Sequence, residues 1–324
     1  MKNTKKIIGI SLLLSLLLVG CSSKSNKQAE VQEEAIKVGI IQYMDHVSLD
    51  QAREGFIDEL EKSDLNVEIE YENEQGDPSL TSTIPKKFEG DEYSLVYAIA
   101  TPAAQGAKNA LANKNIIFSA VTDPQGAGLV TDLEQPENVT GVSDYMDPKA
   151  QIETFLELYP DIKTMGTLYS TSEQNSQIQV EELQKACDDL GIELVTVGIS
   201  NINDIPQGMA SISSKIDAYF ALTDNTVASA APIVAEYLTE HKIPSVSAEE
   251  GQVKNGLLMS EGVDYYEQGA QAARMALKVL QGEEISTIPV EYNENNVMKV
   301  NEKMAQSLGL DLDHEAIKGA EIIK

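Results

Sequence analysis

Short apolar runs rich in β-branched residues alternate along this chain with segments whose apolar residues recur at helical spacing. The run 37–42 (KVGIIQ) reads as a buried strand, and Leu49, Ala52, Phe56, Ile57 and Leu60 then repeat with the period of a helix face. Further strands are predicted at 67–71, 95–100, 116–121 and 139–142, followed by a helix over 148–159. A second series opens there, with strands at 164–169, 192–197, 217–222 and 244–247. Strand–helix–strand alternation of this kind predicts an α/β protein with parallel sheets and helices on both faces.

The two series resemble one another. LVYAIATPAAQGAKNALANKNIIFSAVTD runs strand, Thr-containing turn, Ala-rich helix, strand, acidic turn, and DAYFALTDNTVASAAPIVAEYLTEHKIPSVSAEE repeats that order with a longer helix. Any two strand–helix–strand units share some of this order. Two Rossmann-like lobes would enclose a cleft, with ligands beyond the carboxyl ends of the strands. A last helix over 265–281 places Tyr266, Gly269, Ala273, Leu277 and Leu280 on one face. Crossings between lobes are expected near 143–148, 261–264 and 288–293, giving a multi-strand hinge that closes without letting the lobes twist apart. Lobe 1 would then hold 36–143 plus about 264–290, and lobe 2 would hold 144–263 plus about 291–324.

The N-terminus changes the picture from fold to address. Lys2, Lys5 and Lys6 precede an apolar run from residue 7 to 19. That run is shorter than the roughly 20 residues a membrane span needs, and it fits a signal-peptide core, so 1–20 reads as a lipoprotein signal peptide. It ends in Leu18-Val19-Gly20-Cys21, which looks like a lipobox with Cys21 as the lipidated residue. The polar stretch that follows (21–35) has almost nothing to bury and reads as a flexible tether. The expected location is the outer face of the cell membrane, held there by lipid.

Charge and cysteine content narrow the chemistry. Removing residues 1–20 takes away three lysines and no acids, which moves the formal charge from −28 to −31. Such a body repels phosphate backbones, so nucleic acid is excluded as a partner. Once Cys21 carries lipid, Cys187 is the only cysteine, so no intramolecular disulfide is available. Cys187 shares a helical face with Val180, Leu183 and Leu190 and reads as core. The three histidines, His46, His241 and His314, are far apart, and no metal site is expected. No GxSxG, HExxH, Walker or GxGxxG pattern is present, so the chain reads as neither an enzyme nor a cofactor binder.

Turns at strand ends carry the candidate ligand chemistry. Thr101 can cap the helix that Pro102 opens, and the amides of Ala103 and Ala104 would face a carboxylate. Ser172, Asn175 and Ser176 offer a similar turn in lobe 2, and Thr223, Asp224 and Asn225 are its counterpart of the Thr101 turn. Asp123, Ser143 and Asp144 complete the set on lobe 1. Neutral donors for a carboxylate, with Asp224 or Asp123 for an ammonium, suit a zwitterionic amino acid. Asp224 has a competing role as a helix cap. Tyr43, His46 and Leu49 could wall an apolar or aromatic side chain, although Leu49 equally begins a buried helix face, and Tyr145 is a further ring in a loop.

These segments together resemble a known family. HVSLD at 46–50, ATPAAQ at 100–105, FSAVTDP at 118–124, NVTGVSD at 138–144, EQNS at 173–176, TDNTVAS at 223–229 and DYYEQG at 264–269 occur in order. In these the chain resembles the ABC-transporter substrate-binding lipoproteins of the tryptophan/tyrosine type, with the type I periplasmic-binding-protein fold, over 36–310. The resemblance implies extracytoplasmic capture of an aromatic amino acid (tryptophan, tyrosine or phenylalanine) by a monomer. Delivery would be to an ABC permease with its ATPase. One departure bears on the acidic role of Glu249, a further candidate ligand contact: the chain has Ala248-Glu249-Glu250 where Gly-Asp-Glu-like residues would be expected. A surface receptor that signals without transport, or the same fold binding a nucleoside or another small solute, would use the same architecture.

Overall fold

The structure, a computed structural model, describes residues 35–324. The signal segment 1–20, Cys21 and the tether up to residue 34 lie outside the described residues. The first sheet takes β1 (Ile36–Gln42), β2 (Val67–Asn73), β3 (Tyr93–Ile99), β4 (Ile116–Val121) and β5 (Val139–Ser143). The second takes β6 (Thr164–Ser170), β7 (Glu193–Ile199), β8 (Ala218–Ala221), β9 (Ser245–Glu249) and β10 (Met259–Val263). The chain then returns to the first sheet for β11 (Glu291–Tyr292) and ends in the second with β12 (Asn296–Asn301) and β13 (Glu321–Ile323). The six-stranded sheet runs β11-β5-β4-β3-β1-β2 and the seven-stranded sheet β13-β12-β10-β9-β8-β6-β7. Every pairing is parallel except β10 with β12.

The sequence pattern explains which strand sits where. β4, β5, β8 and β9 are buried at every position, as strands covered on both faces must be. β2 (VEIEYEN) and β7 (ELVTVGI) alternate instead, and they are the two outer strands on the far sides of the sheets. Glu68 and Glu70 on β2 are exposed, which discourages a further strand from pairing there.

Each sheet has its own hydrophobic core. The first is not finished by the first 143 residues. It also takes Val263, Tyr265, Met275, Ala276, Ile285 and Val290 from the returning segment. β11 pairs with β5, so the first sheet runs slightly past residue 290, where the hydrophobic pattern put its end. Cys187 is fully buried in the second core.

The helix Tyr265–Leu280 buries more than the stripe expected for it, taking in Tyr265, Gln268, Ala272, Met275 and Val279, while Tyr266, Leu277 and Leu280 are only partly covered. The reason is a second neighbour. Besides the sheet, the helix crosses Val47–Glu61 at backbone contact: a Cβ on Gly55 would lie 1.9 Å from the carbonyl oxygen of Tyr266, and one on Gly269 would lie 2.0 Å from that of Ala52. Only glycine fits at either point. No helix of the described residues is long and apolar enough to cross a membrane.

Candidate ligand-binding site

Parallel strands deliver their carboxyl ends to one side of each sheet, and the two lobes meet along those ends. Thr122 Oγ1, past β4, lies 3.1 Å from Thr223 Oγ1, past β8. His46 Nε2, past β1, lies 3.2 Å from Asn225 Oδ1. Gln105 Nε2 donates to Gln174 Oε1 at 2.6 Å, and Gln174 Nε2 donates to the carbonyl of Gly126 at 2.6 Å. Behind these contacts lies a layer of buried polar groups, an arrangement that is costly unless each finds a partner.

On lobe 1, β3 ends at Ile99 and Ala100 takes φ 83°, ψ 154°. Its carbonyl accepts the first helical bond from Ala104 N at 3.0 Å, so Ala100 occupies the cap position. Thr101, expected as the cap, is instead the first residue of the helix Thr101–Ala110, and its side chain is buried. Pro102 has no N–H, which leaves the amides of Thr101 and Ala103 ahead of the first helical bond, at the positive end of the helix. Ala103 and Ala104 are fully buried and keep side-chain bulk away. Ala120, at the end of β4, also has a positive φ of 54°, with its N–H held by Gln268 Oε1 at 3.0 Å. Two alanines in this conformation at adjacent strand ends mark backbone shaped for something other than its own comfort.

Asp144 leaves β5 into the first crossing and is 3 % exposed. Its Oδ2 accepts from Tyr265 Oη at 2.7 Å, while its Oδ1 has no partner. Burial lifts its pKa from 3.8 to about 6, aided by the charge of Glu249 and opposed by the Tyr265 hydrogen bond and the nearby Thr122 hydroxyl. Glu249, at the end of β9, is likewise buried; burial raises its pKa, and the nearby His46 pulls it back. Ser143 Oγ donates to the carbonyl of Thr122 at 3.0 Å and shapes the turn. Asp123 is only half-buried and accepts from Gly126 N at 2.8 Å, closing a turn.

On lobe 2, Asp224 caps the short helix Asn225–Ser229, accepting from Val227 N at 2.8 Å, and also receives the amide of Ser170. With both oxygens engaged, it takes the capping role. Beside it stands Glu173, which the turn reading passed over. Glu173 receives Asn225 N and Nδ2 at 3.1 and 2.6 Å, and Thr226 N and Oγ1 at 2.9 and 2.7 Å. Burial and the charge of Glu173 push the Asp224 carboxyl upward. Asn175 Nδ2 donates to the carbonyl of Thr223 at 3.0 Å, and its Oδ1 is unpartnered. Ser176 is buried against Asp224. Ser172 is exposed, with its hydroxyl 2.9 Å from that of Ser170, and stands outside this layer.

Of the residues expected to wall a side chain, Tyr43 is 5 % exposed and its phenol is raised by burial and by Glu173, Glu74 and Asp224. Leu49 packs into the first core, the helix-face role of its two. Tyr145 is 39 % exposed on the crossing segment.

A family profile described as ABC transporter substrate binding protein matches residues 37–324. The chain belongs to that family. This substrate-binding protein is 38 % identical to a tyrosine-binding protein of Clostridioides difficile (strain R20291), over 94 % of this chain and 90 % of the relative. It is similar to the structure of an ABC domain in complex with L-Trp from Streptococcus pneumoniae, at 36 % identity and TM-score 0.83, covering 88 % of this chain and 100 % of that one. A ligand-free, open structure of a substrate binding protein with adhesive properties from Clostridium difficile is 38 % identical, with TM-score 0.69, over 90 % of this chain and 99 % of that one. Identity is slightly higher to the open structure, yet the backbone lies nearer the L-Trp complex, in keeping with lobes that touch. The fold is that of type I periplasmic binding proteins. Substrate-binding proteins of ABC transporters are extracytoplasmic and generally non-enzymatic.

Proposed function

We propose that this substrate-binding protein captures an aromatic amino acid by lobe closure and hands it to an ABC import permease and its ATPase, tethered as a monomer by lipid on Cys21. The observation that carries the ligand class is Asp144: a buried carboxyl with one oxygen unpartnered, beside a second buried acid, Glu249. Among the described residues neither has a lysine or arginine partner, whereas the adjacent Glu250 is paired with Lys254 and Lys299. An ammonium group supplies the missing charge. The amides of Thr101 and Ala103 then take the carboxylate, and Tyr43 and His46 flank the side chain. Closure excludes water and strengthens these polar contacts. The relatives described as tyrosine-binding and as an L-Trp complex support the aromatic class.

Calorimetric titration with amino acids, sugars and nucleosides, together with mass spectrometry of the small molecule released on denaturation, tests this reading. Binding of a nucleoside with no amino-acid response would replace the ligand class and leave the receptor role standing. Permease and ATPase reading frames beside the gene favour transport, and a histidine-kinase neighbour would favour sensing.

A further inference from the structure

Glu74 follows the outer strand β2. Its side chain is 0 % exposed, and neither carboxyl oxygen has a hydrogen-bond partner among the described residues. Its own backbone is firmly placed. Glu74 N donates to the carbonyl of Gln42 at 2.9 Å, Gly76 N to that of Tyr43 at 2.8 Å, and Tyr43 N to that of Ile99 at 3.2 Å. These bonds stitch the ends of β2, β1 and β3 together, so the carboxyl is held at the binding edge of the first sheet beside Tyr43.

The sheet order then gives a direction. From β5 to β2 the strand ends present Asp144, Thr122, Thr101, Tyr43 and Glu74 in that sequence. A ligand with its ammonium at Asp144 and its carboxylate at the Thr101 turn projects its side chain past Tyr43 toward β2. Two strand spacings separate β3 from β2, about 10 Å. A ring with one polar atom at its far end and a glutamate side chain reaching inward cover that distance together. Glu173 and Asp224 of the second lobe act on the Tyr43 phenol from the other side, so this end of the site is enclosed by both lobes.

We propose that Glu74 reads the far end of the ligand's side chain, exchanging hydrogen bonds with a hydroxyl carried on an aromatic ring, and so sets the preference for tyrosine over phenylalanine. Burial raises the Glu74 carboxyl to about 8, so near neutral pH it keeps its proton and offers one donor and one acceptor. A phenol offers the complementary acceptor and donor, an indole N–H only a donor, and a phenyl ring neither. The proposal rests on the amino-acid reading above, and its test separates the two.

Tyrosine, tryptophan, phenylalanine and 4-methoxyphenylalanine are titrated into the wild-type protein, Glu74→Gln and Glu74→Leu. The wild type is expected to bind tyrosine about 10- to 100-fold more tightly than phenylalanine, with 4-methoxyphenylalanine near the phenylalanine level. Glu74→Gln, which keeps a donor and an acceptor, should retain most of that ratio. Glu74→Leu should bring it to within about threefold while phenylalanine still binds. A tyrosine-to-phenylalanine ratio unchanged by Glu74→Leu, or a wild type indifferent to the hydroxyl, overturns the assignment. Should Glu74→Leu not fold, the wild-type ranking of tyrosine, phenylalanine and the methoxy analogue decides alone. If none of the four binds the wild type, the amino-acid reading itself fails.

Discussion

Asparagine at position 144 should make the protein more stable and a worse receptor. The change keeps the shape and the acceptor for Tyr265 Oη but removes the charge. In the ligand-free protein that charge is a burden: the folded-state pKa is about 6 against an ordinary 3.8. The unfolded chain ionises more readily, so this group's contribution is fully favourable below about pH 4 and is lost as pH rises through about 6. At pH 7 the difference of about two pKa units amounts to about 3 kcal/mol, which Asp144→Asn should recover as a raised thermal midpoint without ligand.

Binding moves the other way. Removing one partner of a buried, hydrogen-bonded charge pair costs about 2–5 kcal/mol, a loss of about 30-fold to several thousand-fold. For the same reason wild-type affinity should fall about tenfold per unit as pH drops below about 6, and this dependence should vanish in the variant. Differential scanning fluorimetry without ligand and calorimetry between pH 5 and 8 read both quantities. An Asp144→Asn protein that binds within threefold of wild type, with the pH dependence intact, would refute the ammonium assignment.

Three further changes probe other parts of the argument. Glu173→Ala strands four donors of Asn225 and Thr226, and chemical denaturation should show a loss of about 3 kcal/mol or more; under 1 kcal/mol would mean that water replaces the carboxylate freely. Gly269→Ala drives a methyl into the Ala52 carbonyl, so about 2 kcal/mol and a drop of about 5 °C in the melting midpoint are expected; an unchanged midpoint would mean the two helices separate easily. Cys21→Ala should release the body into the medium with ligand affinity intact, as fractionation and calorimetry would report, and retention with the membrane would remove the lipid anchor from the account.

The strands were legible because β4, β5, β8 and β9 are buried on both faces, which turns a three-dimensional fact into a continuous apolar run. Asp224 was legible only as an ambiguity between cap and ligand contact. Glu173 and Glu74 were illegible in a different way. Nothing local separates a buried glutamate from the many solvated ones in so acidic a chain, and their burial comes from packing that joins Glu173 to Asn225 and Glu74 to Gln42. Thr101 was misplaced by one position because a threonine before proline imitates a cap, while the residue doing that task, Ala100, adopts a positive φ that alanine composition does not announce.

The first core, closed by residues 263–290, also constrains how this protein comes into being. Helix Val47–Glu61 has no backbone to nest against until Tyr265–Leu280 has been made, more than 200 residues later. Contacts this distant in sequence slow folding, because the loop must close before they contribute. A nascent chain therefore carries an incomplete first lobe for most of its synthesis, and the hydrophobic surface meant for the last helix stays uncovered. For a protein that works outside the cytoplasm, that delay is an asset. An incomplete first lobe leaves the chain slack, which is the state a polypeptide must keep in order to be threaded across a membrane.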